Sequence, residues 1–218
     1  MSSSRRVSVC LLILSAAIVP ASAQWVTQTV DLSTGWNAVF LEIDPYPSRC
    51  DLLLRGMPIE SVWAFDARSS SVQFIQTPGD LPESDPGWRR YFPGDRPEAF
   101  AADLFYLEGA RPYLIKTSEA FTWQVKGKPL LREYRWNARS LNLVGFFVDP
   151  ASPPTFSTWF AASPAHQPID VWQLDTQGDW QKITNPAGAV IIPGEAYWVS
   201  CSEESDYCLL YTSDAADE

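Results

Sequence analysis

Trp88, Arg89, Arg90, Tyr91 and Arg96 are the residues of this chain best suited to binding chemistry. Indole and phenol rings stack on sugar faces, and guanidinium groups grip hydroxyls or acidic groups, so this cluster suits a polysaccharide. A competing reading folds Trp88, Tyr91 and Phe92 back as a lid over a neighbouring sheet. The arginines are then solvated, or paired with Asp85, Asp95 and Glu98. A proline-rich loop needs apolar anchors to offset its ordering entropy, which favours the lid.

Other reactive residue types are scattered. His166 is the single histidine and has no Cys or His at ligand spacing, so it does not make a zinc site. The sequence holds no Gly-x-Ser-x-Gly, no His-Glu-x-x-His and no phosphate-cradling glycine loop. Asp44 and Asp149 each precede a proline after an apolar run, and Asp66 and Asp175 sit where hairpins turn. All four read as turn residues whose carboxylates hydrogen-bond nearby backbone. Nothing calls for a metal or an organic cofactor, and the chain reads as a non-enzyme. Cys50 and Cys201 are candidates for a disulfide between the two halves of the chain; free buried thiols stay open as the alternative.

The elements that must hold these residues come in two copies. Asn37, Val39, Leu41, Ile43 and Asp44-Pro45 return 105 positions later as Asn142, Val144, Phe146, Val148 and Asp149-Pro150. A polar Asn, an apolar run and an Asp-Pro stop describe a buried strand entered from one turn and ended by another. Val62, Trp63 and Asp66 return as Val171, Trp172 and Asp175, and Gly109 to Lys116 returns as Gly194 to Ser200. Three blocks in one order predict an internal duplication. Trp25 to Leu32 alternates and, with Trp36 to Ile43, predicts a hairpin about Ser33-Thr34-Gly35. Val62 to Asp66 with Ser71 to Ile75, and Val171 to Asp175 with Asp179 to Ile183, predict two more. Phe121 to Val125 is a further strand, and Arg49 to Arg55 the one short helical turn of the first half. Equivalent rings in two copies fill equivalent holes, so Trp63 and Trp172 are read as core, as is Trp198 inside its own repeat block.

The set Gly35-Trp36-Asn37-Ala38-Val39, Val62-Trp63-Ala64-Phe65-Asp66 and Gly194-Glu195-Ala196-Tyr197-Trp198 resembles a repeat of large secreted and surface proteins of environmental bacteria. The resemblance covers nearly all of the chain after its leader. It implies an extracellular location beside other domains of one polypeptide, and no chemistry. Leu141 stands where Trp36 does, so a shared role for that Trp is not implied.

Ten Trp and 18 Pro with 19% charged residues suit short aromatic-rich strands joined by structured loops. The expected class is all-β: two tandem homologous antiparallel β modules, each a sandwich or partly open barrel, with little helix. Module 1 spans 24–128 with a long insertion at 76–104, and module 2 spans 129–207. Residues 1–23 carry Arg5 and Arg6, a short apolar run and Ala21-Ser22-Ala23, the pattern of a signal peptide cleaved before Gln24. Cys208 to Glu218 resembles the translation of a sequencing-library transposon end read into its adapter, and is excluded from the fold as an artefactual tail. A net charge of −10 speaks against nucleic acid as partner, and the apolar run is too short to span a membrane. The expected function is a non-catalytic structural or adhesive module at the N-terminus of a larger secreted or surface protein. The alternative is a carbohydrate-binding module using the insertion aromatics. Expected partners are other domains of the polypeptide or extracellular polysaccharide.

Overall fold

Alternating and continuous apolar runs both become strands. The structure, a computed structural model, describes residues 24–175 and 177–209; the expected signal peptide and the tail from 210 lie outside the described residues. Eleven strands form among them: β1 (Val26–Leu32), β2 (Gly35–Leu41), β3 (Ile43–Pro45), β4 (Ile59–Phe65), β5 (Trp88–Tyr91), β6 (Arg111–Thr117), β7 (Phe121–Pro129), β8 (Ser140–Gly145), β9 (Val171–Leu174), β10 (Trp180–Lys182) and β11 (Ala196–Cys201). Helix is confined to short pieces, among them α1 (Cys50–Leu53) and α2 (Phe156–Trp159). Pairing is antiparallel throughout, in three sheets ordered β1-β7-β3, β2-β6-β4-β5 and β8-β11-β9-β10. The fold is all-β.

The two four-stranded sheets have one strand order when β2 is set on β8, β6 on β11, β4 on β9 and β5 on β10. Matched side chains do matched work. Asn37 Oδ1 accepts the Ser33 N–H (2.8 Å), and its Nδ2 donates to the carbonyls of Ser33 and Gly35. Asn142 Oδ1 accepts the Asn137 N–H (2.7 Å), and its Nδ2 donates to Asn137 and Ser140. Each amide clasps the turn that feeds its sheet, satisfying backbone groups that burial would otherwise orphan. The hydroxyls of Tyr113 and Tyr197 each accept an N–H from five residues upstream, Glu108 (2.8 Å) and Ile192 (3.0 Å). Asp66 and Asp175 each accept the N–H two residues on.

Side-chain alternation then builds three apolar layers. Val39, Leu41, Val62, Ala64, Tyr113 and Ile115 face the β1-β7-β3 sheet and α1. Phe40, Trp63 and Leu114, on the opposite face, meet Leu141, Leu143 and Trp198 of the other four-stranded sheet. That sheet turns Val144, Val171, Tyr197 and Val199 outward onto α2 and its loops. Both four-stranded sheets are thus covered on both faces, and β8 is buried at every position, its polar Ser140 and Asn142 included. α2 begins at Thr155, whose Oγ1 accepts the Thr158 N–H (3.1 Å).

Several expectations need correction. Residues 25–32 and 36–43 do not form a hairpin: β1 pairs with β7 and β2 with β6, so Ser33–Gly35 is a corner between sheets. The partner of β4 is β5, not Ser71 to Ile75. Residues 67–87 leave the first sheet and cross to the second, where Ile75 accepts the Leu141 N–H (2.7 Å) and donates to Ser140 Oγ (2.9 Å). Buried Ile75 and Leu81 anchor this excursion in the central layer. The Asp85 carboxylate closes it by accepting from Ser71 and from the Gly87 N–H. The span 76–104 is therefore no uniform loop, since β5 lies inside it. β7 also runs one residue past the expected boundary, to Pro129. Leu209, assigned to the tail, is buried in the α2 layer and accepts the Phe147 N–H (2.9 Å).

Candidate functional site

The central layer opens to solvent along one edge, where five tryptophans crowd together. β2 supplies Trp36, β4 Trp63, β5 Trp88, β10 Trp180 and β11 Trp198. Period-two geometry puts them all on the facing sides of the two sheets. Trp36 stands edge-on to Trp63 (5.6 Å between centroids, 86°), and Trp63 edge-on to Trp88 (5.8 Å, 67°). Trp180 meets Trp198 in the same way (6.2 Å, 67°). Between them lies a recess of about 180 Å³. Gly178, at φ +93°, closes the β9–β10 turn against Trp36, and a Cβ there would come within 2.9 Å of the Trp36 ring. The turn thus needs glycine both for its dihedral and for its closeness to the indole.

Charged groups rim the outer side of this recess. Arg90 lies 4.4 Å over the Trp63 ring and donates to the Glu83 carbonyl. Trp63 Nε1 donates to Ser61 Oγ (3.1 Å). Glu60 receives both Arg96 (3.0 Å) and Lys116 (3.4 Å), and hydrogen bonding from Arg96 leads in holding its carboxyl below the ordinary range. Lys116 Nζ is also 5.8 Å from the Trp36 ring. Glu83 and Glu98 line the same open cleft.

The residues named from sequence are not brought onto one surface. In β5, Trp88 and Arg90 turn toward the central layer, while Tyr91 packs on the β1-β7-β3 side and Arg89 pairs with Asp103 (3.6 Å). Trp88 is 8% exposed, with Phe65 at 5.0 Å, so it is part of a wall rather than a platform. Arg96 is committed to Glu60. Cys50 and Cys201 are free thiols in different layers, Cys50 at the start of α1 in the first and Cys201 at the end of β11 in the layer that α2 covers, so the disulfide expectation does not hold. Trp63 and Trp198 are buried as expected, whereas Trp172 is half-buried at the edge of the central layer. The sequence reading missed Trp36, Trp180 and Glu83. Trp180 follows a turn after an apolar strand and was visible as hairpin material; Glu83 carried no signal.

Two other places hold perturbed groups. His166 is 1% exposed, stacked on Phe160 (4.5 Å) with its Nδ1 2.6 Å from Ser163 Oγ, and burial pushes its pKa down to about 4. Sealed in this way, the pair is out of a substrate's reach. Burial raises the Glu195 carboxyl above its ordinary value, against hydrogen bonds from Gln173 (2.9 Å) and Tyr197 (3.1 Å). Burial raises Glu42 as well, opposed by a backbone hydrogen bond from Gly194. Among the described residues no group of three or more His, Cys, Asp and Glu is placed to hold a metal ion, and no helix is long and apolar enough to cross a membrane.

No protein-family model matches the chain, and neither the curated proteins nor the solved structures contain a significant match to it.

Proposed function

We propose that this chain is a non-catalytic extracellular module, a structural or adhesive unit of a larger secreted or surface polypeptide, built from a duplicated β element. One observation carries the reading: the side chains repeated in the two halves serve the fold. Asn37 and Asn142 clasp turns, Tyr113 and Tyr197 hold the entries to their central strands, and Asp66 and Asp175 cap hairpins. Trp63 and Trp172 fill the layer between the sheets. Among the described residues, what recurs in duplicate therefore serves the architecture. Exposed Phe100, Phe105, Tyr106 and Tyr46 offer contact surface for neighbouring domains. The carbohydrate reading rested on Trp88, Arg89, Arg90, Tyr91 and Arg96 acting together, and their split across two faces gives it no common surface.

The test is a turnover screen of the purified chain on chromogenic glycosides, esters, peptides and dye-linked polysaccharides. The structural reading predicts no hydrolysis by protein that melts cooperatively. Hydrolysis that follows the protein through purification and is abolished by Glu195→Gln or Glu42→Gln overturns it.

A further inference from the structure

We infer that the tryptophan-walled recess between the two four-stranded sheets binds a small quaternary ammonium group. Its walls are Trp36, Trp63, Trp88, Trp180 and Trp198, three pairs of which cross at 86°, 67° and 67°. Ring faces and edges therefore surround the space from several directions, as an aromatic cage does around a bulky cation. A volume of about 180 Å³ admits a trimethylammonium head, whose charge is spread over methyl groups and whose hydration is weak.

Charge complementarity selects this occupant. Glu83 is the ionisable side chain lining the recess, and its carboxylate has no ion-pair partner among the described residues. The chain as a whole carries −10, so cations are drawn toward it. The nearby cations are already engaged: Lys116 and Arg96 on Glu60, and Arg90 on the Trp63 ring and the Glu83 carbonyl. Arg90 over Trp63 and Lys116 near Trp36 also show that these indoles accept cations. A sugar fits the lining poorly, because among the described residues no Ser, Thr, Asn or Gln side chain faces the recess to pair its hydroxyls. A primary ammonium is too strongly hydrated to enter such walls without several acceptors.

The experiment titrates the full chain with choline chloride, following tryptophan fluorescence and heat, against sodium chloride at equal ionic strength. Two further probes are 3,3-dimethylbutan-1-ol, the uncharged isostere of choline, and methyl β-D-glucoside. The proposal expects saturable choline binding about tenfold tighter than the alcohol, the size of a desolvated cation–ring interaction. Glu83→Gln and Trp36→Leu should each weaken choline severalfold, with the melting temperature of Glu83→Gln unchanged. Should Trp36→Leu fail to fold, Glu83→Gln carries the test alone. Equal affinity for choline and the alcohol, saturation by the glucoside but not choline, or no saturation by any probe overturns the proposal.

Discussion

Gly145 on β8 faces Phe40 on β2, and the contact leaves no room for a methyl group. A Cβ at Gly145 would lie 2.1 Å from Phe40 Cγ, 2.2 Å from its Cβ and 2.5 Å from its Cδ2. Carbon atoms in contact sit about 3.5–4.0 Å apart, so Gly145→Ala overlaps the Phe40 side chain by about 1 Å or more at three atoms. Phe40 is 1% exposed and abuts Phe147 at 5.1 Å, which denies it a free rotamer. Overpacking of a tight core costs about 1–3 kcal/mol and occasionally more, while Ala returns about 0.4–1 kcal/mol by restricting the unfolded chain. With overlap this close the upper part of that range applies, for an expected net loss of about 1–2.5 kcal/mol, or roughly a 2–10 °C fall in melting temperature for a chain of this size. Urea unfolding measures it. Phe40→Ala alone should cost about 3–5 kcal/mol. The double variant should lose clearly less than the sum, because the new methyl enters the space the ring left. A Gly145→Ala loss within about 0.5 kcal/mol of zero, or strict additivity in the double variant, refutes the close packing of the two sheets at this point.

The remaining predictions concern burial. His166 titrates at about 4 in the fold because it is buried, below its ordinary value of 6.5, so its stabilisation is full above pH 6.5 and is lost as pH falls toward 4. His166→Gln should flatten that acid limb by up to ~3 kcal/mol, read from urea midpoints across the range; an unchanged slope contradicts the buried neutral ring. Glu42 and Glu195, raised by burial, act with the opposite sign: their contribution is greatest while they are protonated and declines as pH rises through their elevated values. Among Cys50, Cys201 and Cys208, thiol labelling of the folded chain should reach only the exposed Cys208. The other two should react only on unfolding, because burial shields both in the fold and there raises the Cys50 pKa to about 12; a Cys50–Cys201 linked peptide would contradict their separation. Leu209→Ala should lower stability by about 2 kcal/mol, at the low end for a buried leucine near a chain end. An unmoved melting curve returns Leu209 to the tail.

Periodic segments were the legible part of this fold. The repeated Asn37 and Asn142 blocks, the β9–β10 hairpin and the brief α1 each follow from local pattern, because turn chemistry and alternation are decided within a few residues. Pairing between distant strands was not legible. Ser71 to Ile75 has the composition of a strand partner for β4, yet Ile75 draws that segment to the second sheet while Asp85 ties Ser71 back to the start of β5, which takes its place. No local signal separates the two outcomes, since the energy lies in the central layer that both sheets share. Trp88 shows the same limit: the favoured reading buried it as a lid, and it is buried, but its place on a strand that alternates between two covered faces follows only from the pairing of β5 with β4. Trp36 and Trp180 enter the candidate site through the stacking of the two sheets, a fact of three dimensions that spacing along the chain does not encode.

The tryptophan layer between the two four-stranded sheets joins the halves of the chain into one cooperative unit. Equilibrium urea unfolding followed in parallel by tryptophan fluorescence and far-ultraviolet circular dichroism tests this, because six of the ten tryptophans sit in that layer and weight the fluorescence toward it, while the dichroism reports every strand. Coincident single transitions are the predicted result. A fluorescence transition that precedes loss of the strands would show two halves that part before they unfold, and would contradict the account.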